Sequence, residues 1–478
     1  MVIPALALAI RQVSKRIKRP FLAGWLFGVG WFGAGISWVH VSIDQFGGLP
    51  LIASVGIMLL LCSYLAIFPA LAFKLTARFF SVNLWPLALP FFWVLTEWLR
   101  SWMLSGFPWL SIGYSQIDSP LAGWAPIIGE TGITALLVMA ACALACSART
   151  RGLIAGSLVT LAIYVSGYIA FQHVWVSPKA TFDVGMVQGN IPQSLRWVPE
   201  QDKPTMDKYL ALTQGLWQSD LIIWPEAAVP KLEPLAQTYL TQVNEQAFNN
   251  NSALITGIVN YNWESQEAWN NLIVLGKRNP DAQTPTYQYF DNNRYAKHHL
   301  LPVGEFVPFE DWLRPLAPLF DLPMSSFARG DFQQTNLTAN GINLAPAICF
   351  EIAFPRQVGA NINKNTDMII TVSNDAWFGH SHGPAQHLEI ARMRALEFGR
   401  PVLRATNNGI TAFIDHKGEI IARLPQFEAG SISAPVTATK GATPYHLIGD
   451  IVVWLLVSLL ICFALVLQKH KRARPVVK

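Results

Sequence analysis

The chain has 478 residues, of which 52% are hydrophobic and only 14% charged, with a formal net charge of +5. That balance excludes an ordinary soluble enzyme and points to a membrane protein carrying a sizeable polar part. The basic residues cluster at 11–19, 149–151 and 469–474, each beside an apolar run, a distribution that marks membrane orientation rather than nucleic-acid binding.

Residues 1–10 are apolar, but at ten residues they are too short to cross a bilayer, which takes roughly 20. Longer apolar runs follow near 21–43, 51–73, 83–102, 121–146 and 152–174, with Trp and Tyr crowding their ends, and a last one covers 447–467. Each is long enough to cross as a helix. The Lys- and Arg-bearing stretches 11–19, 74–78, 147–151 and 469–478 belong on the cytoplasmic side, and the stretches 42–49 and 105–118, which carry no Lys or Arg, belong outside. All loops agree on one topology, which leaves the polar block extracytoplasmic. The expected organisation is a stub and basic segment over 1–20, about five spans over 21–174, a polar domain over 175–445, a membrane helix over 446–468 and a basic cytoplasmic tail over 469–478. Glu97 and Arg100, three apart near the outer end of the third span, share a helix face and are expected to pair. The stretch 103–112 is aromatic, broken by Gly and Pro, and reads as a re-entrant or interfacial loop.

The polar block alternates strand and helix patterns. Strands are expected at 182–188, 221–224, 253–259, 271–275, 342–349, 368–373, 403–406 and 411–415, and helices at 206–218, 235–248 and 385–398. The last helix stops at Gly399 with Pro401 beyond it. This alternation predicts an α/β sandwich with helices covering sheets.

Of the five cysteines, Cys62, Cys142, Cys146 and Cys462 lie in apolar runs, and Cys349 alone lies in the polar block. A thiol there without a disulfide partner is a nucleophile candidate, or else a small buried hydrophobe. Three segments share one design, an apolar strand ending in a functional residue: 221–226 ends in Glu226, 297–305 opens on Lys297 and ends in Glu305, and 347–351 carries Cys349 and Glu351. A carboxylate can accept the thiol proton, and a lysine can favour the thiolate and stabilise an oxyanion. There are no zinc-type cysteine pairs, no phosphate-binding glycine loop and no internal repeat.

The Trp-Pro-Glu element at 224–226, the Lys297 to Glu305 pattern and the Ala-Ile-Cys-Phe-Glu element at 347–351 resemble the nitrilase, or carbon–nitrogen hydrolase, superfamily. With membrane runs on both sides and the stretches 187–197, 295–310, 314–330, 373–387 and 392–411, the chain is similar to the apolipoprotein N-acyltransferase family over about residues 20–478. The resemblance implies a polytopic helical membrane domain joined to an αββα nitrilase-like sandwich. It implies Cys349 as nucleophile, Glu226 as general base and Lys297 as the oxyanion-stabilising cation, with Glu305 and Glu351 supporting them. Trp197, Asn270, Phe350 and Trp377 match positions that handle substrate, although relatives can carry Tyr where Phe350 stands. Relatives have eight membrane helices, so two spans are expected to be missing at the N-terminus, a difference that preserves the orientation.

The implied reaction is transfer of an acyl chain from a phospholipid, typically phosphatidylethanolamine, through a cysteine thioester to the α-amine of a diacylated apolipoprotein in the bacterial inner membrane. It calls for no metal or other cofactor and demands nothing beyond a monomer. Two other readings stay open on the residues alone: a membrane-tethered amidase using the same triad with water, and a transporter with a large outer domain. The few ionisable residues within the apolar runs speak against the transporter.

Overall fold

The computed structural model describes residues 2–16, 18–146, 150–302, 304–306 and 327–473. Val303, the stretch 307–326 that holds most of the 314–330 motif, residues 147–149 and the end of the basic tail lie outside the described residues. The chain divides into two units, one of Met1–His40, Pro50–Val174 and Thr443–Lys478, the other of Val41–Leu49 and Trp175–Ala442.

In the first unit, Leu51–Phe79, Pro120–Ala145, Thr150–Phe171 and Ile451–His470 are long and apolar enough to cross a membrane. The bent pair Pro20–Gly35 and Val39–Gln45, most of whose second helix falls in the other unit, makes a fifth if it counts as one span. The run at 83–102 folds as a shorter helix, Trp85–Arg100, of 16 residues with Pro90 inside it. Beyond Arg100 the backbone is irregular, with positive φ at Leu104, Ser105 and Leu110. Irregular backbone at membrane depth needs partners for its carbonyls, and Arg100 supplies them. Its guanidinium, 1% exposed, donates to the Trp109 carbonyl at 2.7 Å, to the Phe107 carbonyl and to the Glu97 carboxylate. The Glu97–Arg100 pair thus clamps a loop.

The apolar N-terminal decapeptide is part of a longer helix, Val2–Lys15, which buries Ile3, Leu6, Ile10 and Val13. That spacing of three and four residues makes one apolar stripe, and it packs on the helix Ala125–Ala145.

The second unit contains strands β1 (Val176–Gln188), β2 (Leu221–Ile223), β3 (Val229–Leu232), β4 (Ala253–Asn262), β5 (Glu267–Gly276), β6 (Arg294–Ala296), β7 (Leu337–Ala339), β8 (Ile342–Ile348), β9 (Met368–Ser373), β10 (Val402–Thr406), β11 (Ala412–Ile414), β12 (Ile420–Arg423) and β13 (Gly430–Gly441). One sheet runs β13-β1-β2-β4-β5-β6 with β3 beside β4, and the other runs β12-β11-β10-β9-β8-β7. The β1, β2 and β4 neighbours are parallel, as are β8, β9 and β10.

The two-residue period of a strand sorts its side chains between layers. Val184 and Met186 of β1, Leu221 and Ile223 of β2 and Ile255 of β4 meet Ile342, Leu344, Met368, Ile370 and Leu403 of the other sheet in one core. The alternate residues Val187, Ile222 and Leu254 turn outward onto Met206, Tyr209, Leu240 and Val243 of the helices Pro199–Thr213 and Gln237–Asn249. On the second sheet the helix Gly383–Phe398 packs against β10 and ends at Gly399, whose φ of 60° is left-handed. The result is an αββα sandwich. Strand β13 is polar and half exposed, so periodicity does not single it out. Pairing with β1 from Val176 to Gln188 specifies it instead.

Candidate active site

Three strands deliver the chemistry from their ends. β2 stops at Ile223 and Trp224-Pro225 carries the chain to Glu226; β6 stops at Ala296 and Lys297 follows; β8 stops at Ile348 and Cys349 follows. In sheets of this kind, the carboxyl ends of strands are where functional residues collect.

Glu226 and Lys297 are almost fully buried, at 8% and 2% exposure. Lys297 Nζ donates to Glu305 Oε1 at 2.9 Å and lies 2.8 Å from Oε2 and 3.6 Å from Glu226 Oε1. Asn270 Nδ2 bridges the two carboxylates, donating to Glu226 Oε1 at 2.8 Å and Glu305 Oε1 at 3.0 Å. That double donation fixes which end of the amide faces them and leaves Asn270 Oδ1 buried without a partner among the described residues. The backbone N–H of Asn374 donates to Glu226 Oε2 at 3.0 Å, and that of Leu301 to Glu305 Oε2 at 2.8 Å. Burial alone would lower the Lys297 pKa, but Glu305 and Glu226 outweigh it and raise it well above the ordinary value, so the ammonium stays charged.

Cys349 is partly exposed. Its φ of 54° is left-handed, a conformation that costs a non-glycine residue on the order of 1–3 kcal/mol and persists only where its surroundings impose it. Burial first, and then the Glu226 charge, push the thiol pKa far up, with Lys297 opposing. The resting side chain is therefore a thiol, and attack requires a base to take its proton.

Glu351 serves this turn from below. Its carboxylate accepts from the backbone N–H groups of Ile348 at 2.7 Å, His298 at 2.8 Å and His299 at 2.9 Å, from Tyr295 Oη at 2.9 Å and from Gln357 Nε2 at 2.6 Å. It thereby ties the Cys349 turn to the strand end that carries Lys297. Phe350 lies buried in an aromatic cluster, its ring centroid 5.9 Å from His299 and 5.0 Å from Phe354. Trp197 is 36% exposed with φ 68°. Trp377 sits in the short turn Asp375–Phe378, where its carbonyl accepts from Ser42 Oγ at 2.6 Å. The geometry thus gathers Glu226, Lys297, Glu305 and Asn270 by hydrogen bonds and ion pairs around the Cys349 turn, with Glu351 beneath it. Phe350, Trp197 and Trp377 lie outside that hydrogen-bonded set.

Sequence reading missed several participants. Arg196 Nη2 donates to the carbonyls of Glu226 at 2.6 Å and Ala227 at 2.9 Å, holding the turn in which Ala227 has φ 45°. Gly257 lies against the same turn, and a Cβ there would fall 2.3 Å from the Ala227 backbone nitrogen and 2.7 Å from Glu226 Cα. Gly257→Ala is accordingly expected to displace Glu226 and cost about 1–3 kcal/mol. Slowed acylation together with a lowered melting midpoint would bear this out, and wild-type values for both would refute it. Asp375, His387 and Arg404 form a further buried cluster. Arg196, Asp375, His387 and Arg404 lie within the family-like stretches 187–197, 373–387 and 392–411, but nothing local in those stretches gave any of them a role. Among the described residues no group of three His, Cys, Asp or Glu is placed to hold a metal ion.

A family model described as the apolipoprotein N-acyltransferase N-terminal domain matches residues 1–143, and one described as carbon-nitrogen hydrolase matches residues 183–445. An apolipoprotein N-acyltransferase of Photobacterium profundum is 51% identical over 442 residues, covering 91% of this chain and 84% of that one. That of Vibrio cholerae is 48% identical over 472 residues, covering 98% and 92%. That of Shewanella oneidensis is 48% identical over 456 residues, covering 93% and 87%. The chain therefore belongs to the apolipoprotein N-acyltransferase family, acyltransferases of lipoprotein N-acylation in which a carbon-nitrogen hydrolase domain is joined to a region of apolar, membrane-spanning helices.

Proposed function

We propose that the reaction runs in two steps through a thioester on Cys349. The observation that carries this reading is the strained, partly open thiol beside a buried carboxylate–ammonium–carboxylate set. In the first step Cys349 Sγ attacks the sn-1 ester carbonyl of a phospholipid while Glu226 takes its proton. The oxyanion that forms faces the Lys297 ammonium. The C–O bond breaks, the leaving alkoxide receives the proton from Glu226, and a lysophospholipid departs. In the second step the α-ammonium of a diacylated apolipoprotein gives one proton to solvent, and the neutral amine attacks the thioester carbonyl. Glu226 takes a second proton from the attacking nitrogen, the C–S bond breaks, and Sγ receives that proton from Glu226.

Glu305 keeps Lys297 charged and placed. Asn270 Oδ1 is the acceptor left for an N–H of the incoming amine. Phosphatidylethanolamine is the proposed donor, the enzyme acts as a monomer in this reading, and its catalytic domain stands on the outer face of the bacterial cytoplasmic membrane, a placement that the distribution of basic loops supports. At that surface neither substrate has to leave the bilayer fully, a step that costs about 0.8 kcal/mol for each CH₂ extracted.

The turn at Asp375–Phe378, with Gly379 at φ 54° behind it, acts in this reading as an aromatic lid over the donor chain. Trp377→Ala is expected to slow acyl transfer about tenfold, the loss for a contact worth about 1.4 kcal/mol. An unchanged rate removes the lid from the mechanism.

Mass spectrometry of the purified protein after incubation with phospholipid tests the whole scheme. A fatty-acyl mass on the peptide bearing Cys349, discharged by a diacylated lipopeptide and stable without it, is the expected result. Rapid hydrolysis of the adduct without amine would instead indicate an amidase. Transfer by Cys349→Ala would overturn the thioester.

A further inference from the structure

The carbonyl of Cys349 is held by a side chain that the two-step scheme does not use. His387 Nε2 lies 3.1 Å from the Cys349 carbonyl oxygen, and Nδ1 of the same ring lies 3.2 Å from Asp375 Oδ1. Arg404 Nη2 donates to Asp375 Oδ2 at 2.7 Å, and Ser373 Oγ donates to Oδ1. Asp375, His387 and Arg404 are all wholly buried. Arg404 reaches the cluster from β10, Ser373 closes β9, and His387 stands in the first turns of the helix Gly383–Phe398. The site is shaped for these groups. Gly409 lies so close that a Cβ would fall 2.2 Å from Asp375 Oδ2, and the Phe378 ring packs against His387 at 6.0 Å.

A carbonyl oxygen and a carboxylate both only accept, so the imidazolium, with a hydrogen on each nitrogen, makes both contacts at once, while a neutral ring that bonds the Cys349 carbonyl keeps its one hydrogen on Nε2. Burial alone would raise the Asp375 pKa, but Arg404, His387 and Ser373 hold it at about 2, so a carboxylate faces Nδ1 across the whole working range. When protonated, the ring is thus oriented from both ends; burial first and then the Arg404 charge lower its pKa, with Asp375 and the Cys349 carbonyl opposing. One end grips the peptide that follows a residue in left-handed conformation. Relaxation of Cys349 to ordinary φ turns its carbonyl carbon and its Cβ together about the N–Cα bond, so it would draw the oxygen away from His387 and swing Sγ away. Glu351 pins the chain at Ile348, just before the nucleophile, and His387 pins it just after.

We propose that His387, held by Asp375 and Arg404, is a positioning residue for the nucleophile: its Nε2–H bond to the Cys349 carbonyl locks the left-handed turn that presents Sγ to the ester. This rests on Cys349 being the acyl carrier. The alternative is a core histidine that only fills space.

Two variants separate these roles because glutamine and asparagine amides mimic different ring nitrogens. His387→Gln keeps a donor where Nε2 stands, and His387→Asn keeps a polar group near Asp375 but cannot reach the Cys349 carbonyl. In the full-length protein, thioester formation in His387→Gln is expected to stay within roughly tenfold of wild type, the worth of one altered hydrogen bond. In His387→Asn the kcat of the acylation step is expected to fall about 100-fold, with KM for phospholipid little changed, as for a nucleophile about 1 Å out of place. Equal losses in both variants, or wild-type acylation in His387→Asn, overturn the proposal.

Should His387→Asn not fold, ¹⁵N-histidine labelling of the wild-type protein decides the matter. The resonance absent in His387→Gln should report a protonated Nε2 and should shift when Cys349 is alkylated. An unprotonated Nε2, or one indifferent to alkylation, refutes the bond. Failure of the wild-type protein to form any Cys349 thioester would instead strike at the reaction scheme, so the two failures are distinguishable.

Discussion

Glu226→Gln is expected to slow formation of the Cys349 thioester by about 10²–10⁴-fold, the usual worth of a positioned general base, while making the resting thiol easier to alkylate. The two effects have opposite signs for one physical reason. Burial and then the Glu226 charge are the largest influences keeping the thiol protonated, against the pull of Lys297. Removing the charge lowers the thiol pKa, so at mildly alkaline pH more thiolate is present and iodoacetamide labelling speeds up. Removing the carboxylate also leaves no acceptor for the proton during attack on an ester, so phospholipid-dependent acylation slows. Asn270 and the Asn374 N–H donate to different Glu226 oxygens, at 2.8 and 3.0 Å, so the single glutamine oxygen keeps one of these bonds and loses the other, and a small drop in melting midpoint should accompany the change. Labelling and acylation that fell together would indicate a collapsed pocket, and acylation at the wild-type rate would remove Glu226 from the role of base.

Lys297→Met should damage stability and catalysis at once, and a second substitution should separate the two. The ammonium is the charge that lets Glu226 and Glu305 share one amide donor inside the domain, with its Nζ 3.6 and 2.8 Å from their oxygens. Without it, two buried carboxylates face each other across Asn270 and one must take up a proton. Breaking a buried ion pair from one side costs about 3–5 kcal/mol, which thermal melting of the full-length protein should show as a large drop. Acylation should fall by a further 10²–10³-fold or so, because nothing then faces the oxyanion. Adding Glu305→Gln removes one of the stranded carboxylates, so the double variant should recover most of the melting midpoint. It should recover none of the rate. If the rate returned with the stability, Lys297 would be a structural partner of Glu305 and not part of the chemistry.

The sequence carried most of the architecture and the chemical residue types. Long apolar runs flanked by basic loops are a local property of the chain, so the membrane-spanning helices of Leu51–Phe79, Pro120–Ala145, Thr150–Phe171 and Ile451–His470 are legible without a structure. The same holds for buried parallel strands such as β2, β8 and β9, whose short apolar blocks end at a Pro, Cys or Asn, for Glu226, Cys349 and Glu351 just beyond β2 and β8, and for the Lys297 to Glu305 pattern. Legibility fails where an element's character comes from its neighbour. β6 and β7 have only three residues each, and β13 is half polar; all three become strands through the edge they pair with. The run at 83–102 is largely apolar, yet its helix stops at Arg100 because the side chain of that residue turns to the carbonyls of the loop beyond.

What only the tertiary structure decided is how Glu226 and the Cys349 turn are held. Glu226 is gripped by an N–H 148 residues away, Cys349 by an imidazole 38 residues away, and that imidazole by a carboxylate paired with an arginine a further 29 residues along from it. Hydrogen bonds and ion pairs of this kind depend on distances of about 3 Å between atoms that no local pattern relates. A strand period of two or a run of about 20 apolar residues leaves a mark in the sequence because the chain itself sets it. The left-handed turn at Cys349 leaves none, because beside the local bond from Glu351 its carbonyl meets His387 of a distant helix.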